Sequence, residues 1–432
     1  MLVALLLGAL IAPQIQDDCQ KDLAFALDAL EQKCGHFFEL KGIDWKAVRK
    51  EMTAAARAVK TEQDEYVLLT RMLARLRDGH SEVRKGLQGA EPSWPADAPF
   101  GGRRGDSGMG WCRAGGKIFV KQALGPAADA SIAPGSEVLK VNGLAVAKWL
   151  AQREAEGRDV YSFSTAQHAF FWTTHFGLSG PEGSRMGLEL KEPDGKKKKR
   201  TLSFDRRSFR TAGPAVWPEG LKESGELKWC RLPSGIGYVY LRRCKSELPE
   251  QMDEALAGLG DVPGLILDFR GNGGGGFDHD AFMGRFVSAG ATLAFNKSYP
   301  SAGAHPYGGP MVVIVDGTVI SAAETGSGMF KEDGRALMIG ESPTAGMSSS
   351  KETIELPSGK FSLYVSVDSN MNRFNNGKGI EGIGVPPHLV IEFDPVDLAT
   401  GRDTLIRRAE ELLADAPSGK GPWKDVPYRP GE

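Results

Sequence analysis

Gly264-Leu265-Ile266-Leu267-Asp268-Phe269-Arg270-Gly271-Asn272-Gly273-Gly274-Gly275-Gly276 is the stretch from which the fold is read. Its first half is an apolar run of the buried-strand type. Its second half is a glycine loop, a composition that permits positive φ and close approach of other backbone. Two comparable apolar runs, Ile236 to Leu241 and Met311 to Val315, flank it in sequence, and each of the three leads into a helix-like segment. Continuous apolar strands alternating with helices predict a largely parallel sheet covered on both faces, so residues 207–415 are read as an α/β core. A final helix near Thr404 to Leu413 leads into a Pro/Gly-rich tail, residues 416–432, expected to be poorly ordered.

Upstream of the core the pattern changes twice. From Asp17 to Arg84 apolar residues recur at helical spacing, as in Val67, Leu68, Leu69, Met72, Leu73 and Leu76, which predicts a small helical domain over 17–91. Pro92 to Gly105 breaks that pattern. Residues 105–206 then alternate as strands do at Ile118 to Val120 and Met186 to Leu190, with a turn, strand and turn between them at Pro134 to Gly143. Trp149 to Arg185 reads as an insertion, and the basic run Lys196 to Arg200 as a solvated hairpin. The first residues, Leu2 to Ala12, form an apolar and small-residue run too short to span a bilayer. Residues 1–16 are therefore expected to be a signal peptide and the protein to be exported, periplasmic or extracellular.

Bulk composition narrows the partners. With 41% apolar and 25% charged residues and a formal net charge of −2, the chain offers no electrostatic reason to bind nucleic acid or an anionic membrane. The five cysteines show neither a C-x-x-C pair nor zinc spacing; export would permit a disulfide such as Cys19 with Cys34.

Two segments carry chemistry. Gly271, Gly273 and Gly276 satisfy G-x-G-x-x-G, but Ala291 to Pro300 offers no acidic residue for a ribose hydroxyl, so a dinucleotide site fails on context. The other use of such a loop is to bring backbone N–H groups to a developing negative charge. Asp316-Gly317-Thr318-Val319-Ile320 follows the third strand and leads to Ser321-Ala322-Ala323-Glu324, which opens a helix. Ser321 there is either an ordinary N-cap or a nucleophile beside unpaired N–H groups.

Asp268 to Gly275 resembles the D-L-R-x-N-x-G-G motif, and Ser321 to Glu324 the S-A-x-E motif, of the tail-specific (C-terminal processing) and tricorn-core serine proteases. Ile339-Gly340-Glu341 with Thr344-Ala345-Gly346 is similar to the family's G-E-x-T-x-G, Gly379 to Pro387 to its E-G-x-G-V-x-P, and Leu76 to Ser81 to its L-x-D-G-H-T. Pro134 to Gly143 resembles the core of a PDZ domain. The resemblance implies an α/β, crotonase-like core behind an N-terminal helical domain and a PDZ-like domain. It also implies a polypeptide substrate and no cofactor or metal.

Where the Ser-Lys branch carries its lysine, this chain has Met347, whose thioether is no useful base. The resemblance is thus to the tricorn-like branch, which implies Ser321 as nucleophile, His80 as general base and acid, and Glu381 as the orienting carboxylate. It further implies an oxyanion hole from Ala322 N–H and a glycine of Gly273 to Gly275, foremost Gly274. Lys351 is a substitute base after a local shift, and Glu381 is alternatively a turn-stabilising carboxylate. His36, His168, His175, His279 and His305 match no motif and are assigned to structure or surface. The rival reading from another class is a non-catalytic peptide- or ligand-binding protein on the same fold.

Overall fold

A computed structural model describes residues 2–368, 370, 372–416 and 421–428. The N-terminal unit contains α1 (Leu2–Cys34), α2 (Trp45–Ala55), α3 (Glu62–Ala74) and strand β1 (Glu82–Lys85). A capping box fixes the start of α3: Thr61 Oγ1 accepts Asp64 N–H and Asp64 Oδ2 accepts Thr61 N–H. The middle unit contains β2 (Met109–Ala114), β3 (Lys117–Ala123), β4 (Glu137–Val141), α4 (Val146–Arg158), α5 (Ala166–Thr174), β5 (Arg185–Lys191) and β6 (Lys197–Ser203). Its strands lie in the order β2-β3-β4-β5-β6 around a core that includes Trp111, Val138 and Leu188. The basic run becomes β6, paired along its length with β5.

The core unit begins with β7 (Lys222–Ser224), β8 (Leu227–Arg231), β9 (Gly237–Leu241), α6 (Leu248–Leu259), β10 (Leu265–Asp268) and β11 (Met311–Val315). It continues with α7 (Ala322–Glu332), β12 (Leu337–Gly340), β13 (Lys351–Glu355), β14 (Phe361–Ser366), β15 (Leu389–Val390) and α8 (Thr404–Asp415). The main sheet has the order β7-β8-β9-β10-β11-β12-β15; β9 to β15 run parallel and β7, β8 and β9 antiparallel. The strands read as unbroken apolar runs because both faces are covered. Leu265, Leu267, Met311 and Val313 pack toward α6 and α7, whereas Ile266, Val312 and Ile314 pack toward α8, the alternation that a pleated strand requires.

One joint ties the glycine loop to α8. Arg270, fully buried, pairs with Asp268 at 2.6 Å and with Asp403 at 2.9 Å. Asp403 also caps α8 by accepting Leu405 and Ile406 N–H groups. The D-F-R part of the glycine motif is thus a buried ion cluster beneath the loop.

Three expectations change. Residues 351–366 fall within the stretch read as core, but β14 pairs with β1, and Ile354, Leu363 and Val365 join the N-terminal apolar cluster. The two sequence ranges are therefore interleaved in space. Cys19 and Cys34 are both free and lie on the same helix, α1, ~22 Å apart at 1.5 Å per residue, so they cannot form the disulfide that export would permit. Of the tail, residues 417–420 and 429–432 lie outside the described residues, but Trp423 and Val426 are buried against α8 rather than loose. Of the expected leader, Met1 lies outside the described residues, and α1 runs from Leu2 through Gln16 without a break. Among the described residues no helix is long and apolar enough to cross a membrane.

Replacing Arg270 by Leu strands two carboxylates in the core. The expected cost is ~3–5 kcal/mol, the range for breaking a buried ion pair from one side, measured as a lowered midpoint in urea unfolding.

Candidate active site

Ser321 sits at the junction between β11 and α7, after the turn Asp316 to Ile320. It is a non-glycine residue at φ 58° and ψ −131°, a strained conformation that costs ~1–3 kcal/mol and persists only if its surroundings impose it. They do. Ser321 N–H donates to Met347 O at 3.1 Å and to Glu324 Oε2 at 3.1 Å. Ile320 N–H donates to Asn272 O, and Ala345 N–H to Val319 O.

Glu324, whose side chain is inaccessible to solvent, gathers the surrounding loops. Its Oε1 accepts from Thr344 Oγ1 at 2.6 Å and Gly346 N–H at 2.7 Å, and its Oε2 accepts from Met347 N–H at 2.9 Å as well as from Ser321. Burial raises this carboxyl to about 7 against the opposing pull of its donors. Because every partner is a donor, the geometry is that of the carboxylate.

The glycine loop meets the serine from the other side. A Cβ on Gly274, at φ 74°, would lie 2.6 Å from Ser321 Cβ and 3.2 Å from Ala322 N, so only glycine fits. Gly274 is therefore beside Ser321 as expected, but its N–H is already given to Asn272 Oδ1 at 2.9 Å, in an Asx-type turn. This corrects the expectation that Gly274 is the free donor. Ala322 N–H, at the first position of α7, has no acceptor among the described residues. Ala322 N–H remains the available donor at this point.

His80 arrives from the N-terminal unit on the turn between α3 and β1. Asp78 holds that turn: its Oδ1 accepts His80 N–H at 3.0 Å, and its Oδ2 accepts Ser81 Oγ at 2.9 Å and Ser366 N–H at 3.0 Å. His80 Nδ1 is buried, 3.8 Å from Asp78 Oδ1, with no hydrogen-bond partner among the described residues. Burial, assisted by Lys351 and Lys41, lowers the imidazole to about 4 against the opposing pull of Asp78. At neutral pH His80 is the uncharged, basic form. Among the described residues no hydrogen bond joins His80 to Ser321. Met347 stands between them: its carbonyl holds Ser321 N–H, and its Sδ lies 2.5 Å from where a Cβ on Gly79 would be.

Glu381 lies in the same cluster, but its partner is one that the sequence did not suggest. Lys41 Nζ, at the end of the short helix Phe38–Lys41, approaches Glu381 Oε1 at 2.8 Å, with both side chains buried. Burial, then Asp78, raises the Glu381 carboxyl to about 8 against the attraction of Lys41; Glu381 Oε2 has no hydrogen-bond partner among the described residues. Burial also acts to raise the Asp78 carboxyl, but Lys41, His80 and the surrounding donors hold it below its ordinary value. His168, assigned above to structure or surface, is in fact close to this group. Its Cε1 lies 2.8 Å from the position of a Gly79 Cβ, and His80 contributes, after burial, to lowering its imidazole to about 4. Neither Lys41 nor His168 belongs to a motif, and no sequence signal marks them; Asp78 was visible in the Leu76 to Ser81 string, though without a role. Lys351 bears on this site as a charge near His80.

Ser321 thus occupies a strained strand-to-helix turn at the end of a parallel strand, in a sheet covered by helices on both faces. Residues 235–391 match the family model for Peptidase family S41. The chain is 26% identical over 298 residues to the chloroplastic C-terminal processing peptidase of Tetradesmus obliquus, covering 66% of this chain and 58% of that protein. It is 24% identical over 231 residues to the carboxyl-terminal-processing protease of Picosynechococcus, covering 51% of this chain and 52% of that protein. The chain thus spans little more than half the length of these curated relatives. The crystal structure of mature CPAF superposes with a TM-score of 0.66 at 13% identity, covering 94% of this chain and 99% of that one, a likeness of fold.

Lys41→Met removes the only cation hydrogen-bonded to Glu381 among the described residues; because burial already holds that carboxyl at about 8, it takes up a proton, and the expected loss is ~1–3 kcal/mol, the cost of a buried polar group left without its partner. The double variant Lys41→Met with Glu381→Leu should recover most of that loss in the same denaturation assay.

Proposed function

We propose that the chain is a serine endopeptidase that cleaves polypeptides through an acyl-enzyme, with Ser321 as nucleophile and His80 as general base. The observation that carries this reading is the backbone of Ser321. Ser321 is a non-glycine residue held at a strained positive φ, a conformation that an ordinary N-cap does not need, beside an Ala322 N–H that has no acceptor among the described residues. In the proposed reaction His80 takes the Ser321 hydroxyl proton as Oγ bonds to the peptide carbonyl carbon. The carbonyl electrons move to oxygen, which meets Ala322 N–H and a second donor from the Gly273 to Gly275 turn. The tetrahedral adduct expels the amine, to which His80 returns the proton, and water then repeats the sequence on the acyl-enzyme. Glu381, paired with Lys41, is the orienting carboxyl of the cluster, and Asp78 both fixes the turn that presents His80 and supplies the charge that favours its imidazolium.

The uncharged state of His80 supports its part, since only a free imidazole can accept the proton. Met347 Sδ fills the space against Gly79, in keeping with a site that has no dyad lysine. The same reading includes a crotonase-like core, a PDZ-like middle unit over residues 105–206 that receives a substrate tail by strand addition, and export through residues 1–16. It needs no cofactor. A second reading, a non-catalytic peptide-binding protein on this fold, draws support from the missing hydrogen bond between His80 and Ser321.

Hydrolysis of casein separates the two. Ser321→Ala and His80→Ala should each lower the rate by ~10⁴-fold or more, with Lys351→Ala remaining active; hydrolysis that survives Ser321→Ala overturns the assignment. A wild type that binds peptide but neither cleaves it nor takes up a fluorophosphonate at Ser321 establishes the binding protein instead.

The pH profile follows from His80. Since burial lowers its folded-state value below the ordinary 6.5, the acid limb of kcat/KM should lie below pH 6.5, with rate lost as pH falls and the base is protonated. Lys351→Ala removes a cation that disfavours imidazolium, so it should move that limb to higher pH; a limb that stays in place or moves down contradicts the assigned coupling.

A further inference from the structure

His80 and Ser321 belong to different units, and no hydrogen bond joins them among the described residues, so something else must fix their separation. We infer that the segment Ser162–His168, which leads into α5 of the middle unit, is the mount on which the active site is assembled, with Gln167 as its central positioning residue. This rests on the Ser321–His80 reading.

The segment reaches three loops with side chains. Toward the His80 turn, Ser162 Oγ accepts Asp78 N–H at 2.8 Å and donates to Leu73 O at 2.9 Å, and Ser164 Oγ accepts Gly79 N–H at 2.9 Å. The His168 ring closes over Gly79 and leaves no room for a side chain there. Toward the loop that carries Met347, Thr165 Oγ1 donates to Ala345 O at 2.8 Å while accepting His168 N–H at 3.2 Å as the cap of α5. Gln167 spans the last gap: its Nε2 donates to Thr344 O at 2.9 Å and to Ile383 O at 3.0 Å, so the Met347 loop and the Glu381 loop hang from one amide.

The chemistry of Gln167 suits positioning. A primary amide offers two hydrogens in a fixed plane, so two carbonyls bound to one nitrogen have little freedom relative to each other. Thr344 is also bound to Glu324, and Glu324 to the Ser321 N–H, so displacement at Gln167 passes to the backbone of the nucleophile through three hydrogen bonds. Gln167 carries no charge and touches no titratable group in these contacts, which separates its effect from electrostatic tuning of His80. A misplacement of about 1 Å between reacting groups costs about 10²-fold in rate.

The test uses the full chain, with casein as substrate. Gln167→Ala should lower kcat about 10²-fold with KM within about twofold of wild type, the signature of lost alignment rather than lost binding. Thr165→Val should lose rate while Thr165→Ser keeps it, because only serine retains the donor to Ala345 O. Hydrogen–deuterium exchange of folded Gln167→Ala should rise together in residues 78–81, 344–347 and 380–384. A Gln167→Ala enzyme with kcat within about threefold of wild type overturns the inference, as does faster exchange confined to α5. If the wild type shows no Ser321-dependent hydrolysis, the catalytic reading fails, and the exchange experiment alone still decides whether the segment is the mount.

Discussion

The carboxylate of Glu324 is the constraint on which the site depends. Taking a carboxylate out of water is costly unless its lone pairs are filled, and here they are filled by Ser321, Thr344, Gly346 and Met347. Four donors from two loops can converge on one group only if those loops hold their positions, so the cost of burial becomes a geometric lock. Ser321 is held at positive φ by that lock, and Met347 is seated with its carbonyl toward Ser321 and its thioether toward Gly79.

Buried charge recurs at the joints. Arg270 with Asp268 and Asp403 binds the glycine loop to the last helix, and Lys41 with Glu381 binds the N-terminal unit to the loop after β14. Pairs of this kind add little net stability compared with apolar packing, but a mismatched partner is severely penalised, which makes them effective at fixing register between units. Their side effect is electrostatic. Burial keeps His80 uncharged, with Lys351 and then Lys41 acting in the same direction, and Lys41 lowers the Asp78 carboxyl, so the joint adds to the electrostatics around the candidate base.

The position taken by Met347 illustrates how one residue changes what a site can do. A thioether there cannot accept a proton, but it packs against the turn that carries an imidazole. Under the proposed mechanism the base comes from another unit, and relative placement of units then matters more than it would if nucleophile and base shared one loop.

Local pattern determined a good deal by itself. The apolar runs at Leu265 to Asp268 and Met311 to Val315 specified buried parallel strands, because a strand covered on both faces has no polar positions. Glycine at 274 and serine before a helix at 321 marked a close backbone approach, because no other residue fits where two main chains nearly touch. Tertiary structure alone decided the rest. Glu381 meets Lys41 across 340 residues, and Ser164 meets Gly79 across 85, distances over which periodicity carries no information. Asn272 turned its side chain to the Gly274 N–H, a local hydrogen bond that composition permits but does not require. The exchange of β13 and β14 into the N-terminal unit was equally hidden, since a strand's sequence records which of its faces is buried and not which neighbour buries it.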